Sequence, residues 1–309
     1  MQKKLPRGVI IPLLTTFDGS GEVAVDMLQK MARFYAQSGV NALFVGGSAG
    51  QGLVMTEEQR KKVLEAVMDE VGHDIPVIAH VGTIESTSGR RLAAHAAENE
   101  VDAIAIVPPY YYSDHTEYEI FQHYCEIAEG APETPVVIYD NPKYTGISMP
   151  APRVLRLREQ LPTVSAIKAS FSGLSEMLAY LKAMPDFYVY SGGVEYLAGG
   201  VPLGLAGVIN PPASFFPEVL VELWKSIEEK NFDQAFTLQA KIISLRSVVN
   251  RFSSRYGRPA FTEAMRLRGF DIVKYPLWTS QEMSEEDKRE MRRLLIAEGG
   301  EAIVSELTR

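Results

Sequence analysis

The sequence predicts a (β/α)8 TIM barrel with a helical C-terminal extension, on two observations. Between Gly8 and about Asn231, eight short apolar runs alternate with amphipathic stretches at roughly thirty-residue spacing. The turn after the first run, TTFDGSGE, lacks the G-x-G-x-x-G phosphate turn that an open doubly wound sheet usually carries there.

In chain order the apolar runs are GVIIPLL, VNALFVG, PVIAHVG, DAIAIVPP, PVVIYD, TVSAIKAS, DFYVYSG and LAGVIN. Most are rich in β-branched or small apolar residues. They end at or beside Gly, Pro, Asn, Asp or Ser, as strands buried on both faces do. The segment TEEQRKKVLEAVMDEVG reads as a helix. Thr56 serves as its N-cap, Gln59 completes a capping box, and Gly72 supplies the stop. ESTSGRRLAAHAAENE and FFPEVLVELWKSIEEKN read as further helices. No strand is expected after Asn210. Residues 1–231 are thus expected to form the barrel. Residues 232–309 are expected as helices, with a loop at GFDIVKYPLW, packed on the barrel rather than forming an independent domain. Ser284 before Glu285, Glu286 and Asp287 reads as the capped, solvated start of one of them.

At 46% hydrophobic and 23% charged residues, the composition is that of an ordinary globular chain, long enough to bury a full core without staples. The net charge of −8 and the lack of a basic stripe argue against a nucleic-acid partner. The single cysteine, Cys125, excludes an internal disulfide and a cysteine-rich zinc site. Its neighbours read as a helix, which makes it an inert thiol. The apolar run after the basic N-terminus is too short for a signal sequence, and no stretch reaches membrane-spanning length. A soluble, cytoplasmic protein with no membrane partner is expected.

In such barrels the chemistry sits at the C-terminal ends of the strands. Lys168 ends the sixth run, where burial favours the neutral amine that attacks carbonyls. A lysine that snorkels outward or pairs with a carboxylate fits the same pattern. Tyr139 ends the neighbouring fifth run, as a proton relay or as a tyrosine with an anchored hydroxyl. Asp140 and Asn141 are read as shaping the turn before Pro142. The loop GGSAGQG after the second run brings backbone amides and the Ser48 hydroxyl to a carboxylate-sized nest, or is a plain turn. PPYYYS after the fourth run places adjacent tyrosines on a loop, lining a pocket or an interface. The five histidines are scattered with no metal-ligand spacing, and no G-x-S-x-G motif is present.

Taken together these motifs resemble the dihydrodipicolinate synthase / N-acetylneuraminate lyase family of pyruvate-dependent class I aldolases. The resemblance covers nearly the whole chain. The family's G-[ST]-[ST]-G-E loop reads here Gly47-Ser48-Ala49-Gly50-Gln51, and its P-[YF]-Y loop reads Pro109-Tyr110-Tyr111. Its Y-[ND]-x-P strand end reads Tyr139-Asp140-Asn141-Pro142, and its [IV]-K strand end reads Ile167-Lys168. The set, in this order, is highly specific.

The resemblance implies that Lys168 forms an imine with a 2-keto acid, so that no cofactor or metal is needed. It implies that Tyr139 shuttles protons, that Ser48 orients it, and that the loop at Gly47, with the amides of Ser48 and Ala49, holds the keto acid carboxylate. Tyr111 matches the tyrosine that reaches into a neighbouring subunit's site, within a homotetramer built as a dimer of dimers. The implied partners are a 2-keto acid and an aldehyde.

The sequence also departs from the pattern. Ala49 replaces a hydroxyl residue and Gln51 replaces the loop glutamate. Tyr144 stands where the synthases carry an arginine for the aldehyde's carboxylate, and a tyrosine cannot make that bidentate pair. Lys143 beside it is expected to point elsewhere. Gly192 and Glu195 match sugar-binding positions of the lyases, but Val194 replaces an aspartate and Asn210 stands where a serine is expected. Tyr144, Gly192, Glu195 and Asn210 are therefore candidate second-substrate contacts, with loop capping as the alternative for Glu195 and Asn210. The expected activity is closer to the lyases than to the synthases, on a sugar-derived or hydroxylated 2-keto acid. Dehydration of a deoxy-keto sugar acid through the same imine, dihydrodipicolinate synthesis, and non-catalytic keto-acid binding are the other readings.

Overall fold

The computed structural model describes residues 4–171, 173–273 and 281–300. The eight expected runs form eight parallel strands. These are β1 (Gly8–Pro12), β2 (Ala42–Val45), β3 (Val77–His80), β4 (Ala103–Ile106), β5 (Val136–Asp140), β6 (Val164–Ala169), β7 (Tyr188–Ser191) and β8 (Gly207–Ile209). They pair in sequential order, and β8 pairs back onto β1 to close a barrel. The closure is tight. A Cβ on Gly207 would stand 2.1 Å from the Gly8 carbonyl oxygen, so only glycine fits at that seam.

Helices follow the strands on the outside. They are α1 (Val25–Gln37), α2 (Glu57–Val71), α3 (Ser86–Glu98), α4 (Glu117–Ala128), α5 (Pro142–Thr145), α6 (Ala151–Gln160), α7 (Leu174–Ala183), α8 (Leu197–Gly200), α9 (Pro211–Phe215) and α10 (Pro217–Glu228). Among the described residues, three more follow β8 and α10: α11 (Phe232–Tyr256), α12 (Arg258–Leu267) and α13 (Glu285–Leu295). The capping box at Thr56 and Gln59 forms as expected, α2 ends at Gly72, and Ser284 caps α13. α11 packs on α10, α12 and α13. The expected loop at GFDIVKYPLW runs beyond Val273 and lies partly outside the described residues.

Two apolar clusters hold the barrel. The larger fills the space between sheet and helices, with residues such as Val9, Leu43, Ile104, Ile138 and Ile167. The smaller fills the lumen with Ile10, Phe44, Ile78, Val137, Tyr139 and Tyr190. Side chains alternate across each strand, so one strand feeds both clusters. Each fully buried Val or Ile contributes about 1.5–3 kcal/mol relative to exposure.

β6 breaks this alternation once. Val136 pairs with Val164, but Val137 pairs with Ala166, so Ser165 is an extra residue in a bulge. Val164 lies in the outer cluster and Ala166 in the lumen cluster. Beyond the bulge, Tyr139 stands level with Lys168.

Candidate active site

Lys168 enters the lumen from β6 and is 6% exposed. Its Nζ lies 3.9 Å from the centre of the Tyr139 ring and 4.4 Å from that of Phe44. Burial pushes the ammonium below its ordinary pKa, and the Tyr139 oxygen opposes that only in part. Of the readings open to a lysine at a strand end, the inward, desolvated one is the one found.

Tyr139 arrives from β5 beside it. Its hydroxyl donates to Ser48 Oγ at 3.4 Å and accepts from Asn141 Nδ2 at 3.2 Å. Burial alone raises the phenol. The Lys168 charge and the hydrogen bonds with Ser48 and Asn141 outweigh it and hold the group below its ordinary value. Asn141 is thus more than a turn former, although its carbonyl also accepts from the Tyr144 and Thr145 amides. Its spacing of two from Tyr139 puts both side chains on one face, a signal the sequence did contain.

His80, at the end of β3, packs edge-on against Tyr139 with ring centres 5.8 Å apart, and Phe44 does the same at 5.7 Å. Burial, then the charges of Arg60 and Lys168, hold the imidazole well below its ordinary pKa, so it is neutral. Its Nδ1 lies 3.2 Å from the Gly46 carbonyl oxygen and 3.5 Å from Arg60 Nη2. Arg60 of α2, also buried, donates to the carbonyls of His80 at 2.6 Å and Gly82 at 3.0 Å. It ties the end of β3 in place. Read from sequence as one of five scattered histidines, His80 proves to be a core histidine against the site.

The loop after β2 folds back on itself. Gly52 N donates to the Gly47 carbonyl at 3.2 Å, and Gln51 N donates to that of Ser48 at 3.3 Å. A Cβ on Gly52 would sit 1.8 Å from the Gly46 carbonyl oxygen, so the turn needs glycine there. Gly47 is buried, while Ser48 and Ala49 are partly open. The Ser48 carbonyl also accepts from Arg258 Nη2 at 3.2 Å. That arginine begins α12, and no local pattern in the sequence marks it.

The remaining candidates divide. Tyr144 on α5 is 64% exposed at the same mouth, and Lys143 Nζ lies 5.8 Å from its ring centre rather than pointing away. Gly192 N donates to the Ala169 carbonyl at 2.7 Å, drawing the end of β7 against β6. Asn210 Nδ2 donates to the Gly192 carbonyl, while its buried Oδ1 has no hydrogen-bond partner among the described residues. Glu195 turns to α11 and pairs with Arg246 at 2.7 Å. Tyr111 is 79% exposed, with φ at +80°, and among the described residues its one ring contact is with Tyr112, at 5.0 Å. Tyr110, not Tyr111, packs on the lumen cluster. The structure therefore gathers Lys168, Tyr139 and Ser48, with Tyr144 and Arg258 at the mouth, and leaves Tyr111 and Glu195 outside the group.

Among the described residues, no three His, Cys, Asp or Glu side chains are grouped to hold a metal ion, and no helix is long and apolar enough to cross a membrane. Cys125 on α4 is half-buried, and burial raises its thiol, as expected of an unreactive one.

A desolvated amine beside a phenol that is hydrogen-bonded to a hydroxyl is equipped for carbonyl addition with local proton transfer. Known proteins point the same way. An N-acetylneuraminate lyase from Citrobacter koseri is 32% identical over 242 residues, covering 77% of this chain and 81% of that protein. A sialic acid aldolase from Ruminococcus gnavus superposes with a TM-score of 0.85 at 25% identity, covering 95% of this chain and 98% of that one. A dihydrodipicolinate synthase from Aquifex aeolicus gives 0.84 at 26% identity, with coverage of 95% and 98%. Residues 5–298 match the dihydrodipicolinate synthetase family, and the chain belongs to it.

Proposed function

We propose that this protein is a Schiff-base-forming class I aldolase, a lyase acting on pyruvate or a related 2-keto acid. The observation that carries the proposal is the buried Lys168 amine 3.9 Å from the Tyr139 ring, with the phenol hydrogen-bonded to Ser48. The amine attacks the C2 carbonyl to give a carbinolamine, and loss of water gives the protonated imine. In the cleavage direction the C4 hydroxyl loses its proton and the C3–C4 bond breaks. Its electron pair enters the imine to form an enamine, and the C4 fragment leaves as an aldehyde. Protonation at C3 and hydrolysis release pyruvate and restore the amine. Tyr139 moves these protons, held in place by Ser48 and Asn141. The Ser48 and Ala49 amides receive the keto acid carboxylate without the side-chain hydroxyl that Ala49 replaces.

In this reading the second substrate is not that of lysine biosynthesis, because Tyr144 cannot form a bidentate pair with a carboxylate. Tyr111, open to solvent on one chain, completes the site of a neighbouring copy in a tetramer that works in the cytoplasm. Borohydride reduction in the presence of pyruvate tests the proposal. A stable adduct on Lys168, absent in Lys168→Ala, is expected. No adduct at saturating pyruvate and near-neutral pH would overturn it.

A further inference from the structure

The two ends of the Tyr139–Ser48 hydrogen bond arrive from different elements. The phenol comes from β5 and the hydroxyl from the loop after β2, and the bond is long at 3.4 Å. A bond of that length between two elements depends on what fixes each end. One side chain touches both. The His80 ring packs edge-on against the Tyr139 ring, with planes at 85° and centres 5.8 Å apart. Its Nδ1 lies 3.2 Å from the carbonyl oxygen of Gly46, two residues before Ser48. Its Nε2 is buried without a hydrogen-bond partner among the described residues, so the polar contact is made on the Nδ1 side. Phe44 closes the group: its ring centre lies 5.7 Å from that of Tyr139 and 6.2 Å from that of His80. Arg60 holds the backbone of His80 through its carbonyl at 2.6 Å. The imidazole is kept uncharged by burial and by the Arg60 and Lys168 charges, so it adds no second cation beside the amine.

We propose that His80 is a positioning residue for proton transfer: it holds the Tyr139 ring and the Ser48 loop in register, so that the phenol meets the hydroxyl that orients it. This rests on the imine and relay chemistry proposed above and gives a part in it to a residue outside the four motifs. His80 acts through Tyr139 and not on the reacting atoms. Both of its contacts are needed, the ring for the phenol and the polar edge for the loop.

Pyruvate in deuterium oxide is the probe. Its imine with Lys168 loses a C3 proton to give the enamine, and return of a deuteron labels the methyl group, which NMR follows. His80→Phe keeps a ring and loses the contact with Gly46. His80→Asn keeps an amide that can donate to Gly46 and loses the ring. Each is expected to slow exchange at saturating pyruvate by about 10–100-fold, because a misplacement of an ångström is enough for that. Half-saturation of borohydride trapping by pyruvate is expected to stay within about threefold in His80→Asn, since ground-state binding is left alone. A larger change would tie His80 to holding the keto acid and overturns the inference. The deciding measurement is a cycle with Tyr139→Phe. With no hydroxyl left to place, each double variant is expected to exchange within about twofold of Tyr139→Phe alone. Losses that multiply, as independent damage does, overturn the inference, and so does full exchange in either His80 variant. A wild-type protein that traps pyruvate on Lys168 but does not exchange its methyl protons overturns it too. One that traps no pyruvate instead defeats the imine chemistry itself.

Discussion

Tyr139 and Asp140 are adjacent on β5, and their acidities are displaced in opposite senses. The phenol faces the lumen and is pulled below its ordinary value by Lys168, Ser48 and Asn141 against the effect of burial. The carboxyl faces the helices, and burial, with Glu176 adding to it, pushes it up to about 7 against one hydrogen bond from Met149 N at 3.2 Å. Neighbouring residues on a strand point to opposite faces, so one strand serves the chemistry on one side and carries a buried acid on the other.

That buried acid makes stability depend on pH. A carboxyl whose folded pKa is about 7, against 3.8 when unfolded, holds its proton more tightly in the fold. Its favourable contribution is full below about pH 4 and is lost as pH rises through 7, amounting to something on the order of 4 kcal/mol. Asp140→Asn removes the titration and can still accept from Met149. The variant should match the wild type near pH 4 and melt higher at pH 8, by scanning calorimetry at both values. A variant that melts lower at pH 8 than at pH 5, relative to wild type, would contradict the assignment.

Tyr139→Phe separates proton transfer from amine activation. Loss of the relay should lower turnover by about 10²–10³-fold. The Tyr139 oxygen raises the Lys168 pKa, so its removal leaves burial less opposed and the amine more acidic. More neutral amine is then present at a given pH. The midpoint of borohydride trapping against pH should therefore move down even as turnover falls. An upward shift would show that the phenol does not act on Lys168 as the geometry requires.

Tyr111 holds a left-handed backbone while its ring lies in solvent. For a non-glycine residue such a conformation costs on the order of 1–3 kcal/mol. Tyr111→Gly should change stability by less than about 1 kcal/mol, because relief of strain offsets the lost chain stiffness. Turnover should fall at least tenfold if the ring completes a neighbour's site. Full turnover in this variant would leave the strained tyrosine without a role in the reaction.

The barrel was legible because its strands are buried on both faces, which forces runs such as DAIAIV and PVVIY into view. The Thr56–Gln59 box was legible because capping is local. Lys168, Tyr139 and Ser48 were legible through motifs, which carry position along the chain but not direction in space. Arg258 was not, since it meets Ser48 across 210 residues of sequence and through a backbone carbonyl that any residue could offer. His80 hid for a related reason: a histidine in an apolar run shows neither which face it takes nor what closes over it. The candidates after β7 were legible as positions only, and Glu195 spends its charge on Arg246.

The bulge at Ser165 has a consequence for how this chain tolerates change. Counted in strict alternation from Val164, an outer-shell residue, Lys168 would point out of the barrel. The extra residue reverses the count, so the half of β6 that follows the α6 loop and the half that bears the amine run on independent frames. Ser165 is a slack link between them. Removing it would straighten the strand and leave Lys168 level with Tyr139, so a length change arriving from the loop can be absorbed before it reaches the amine.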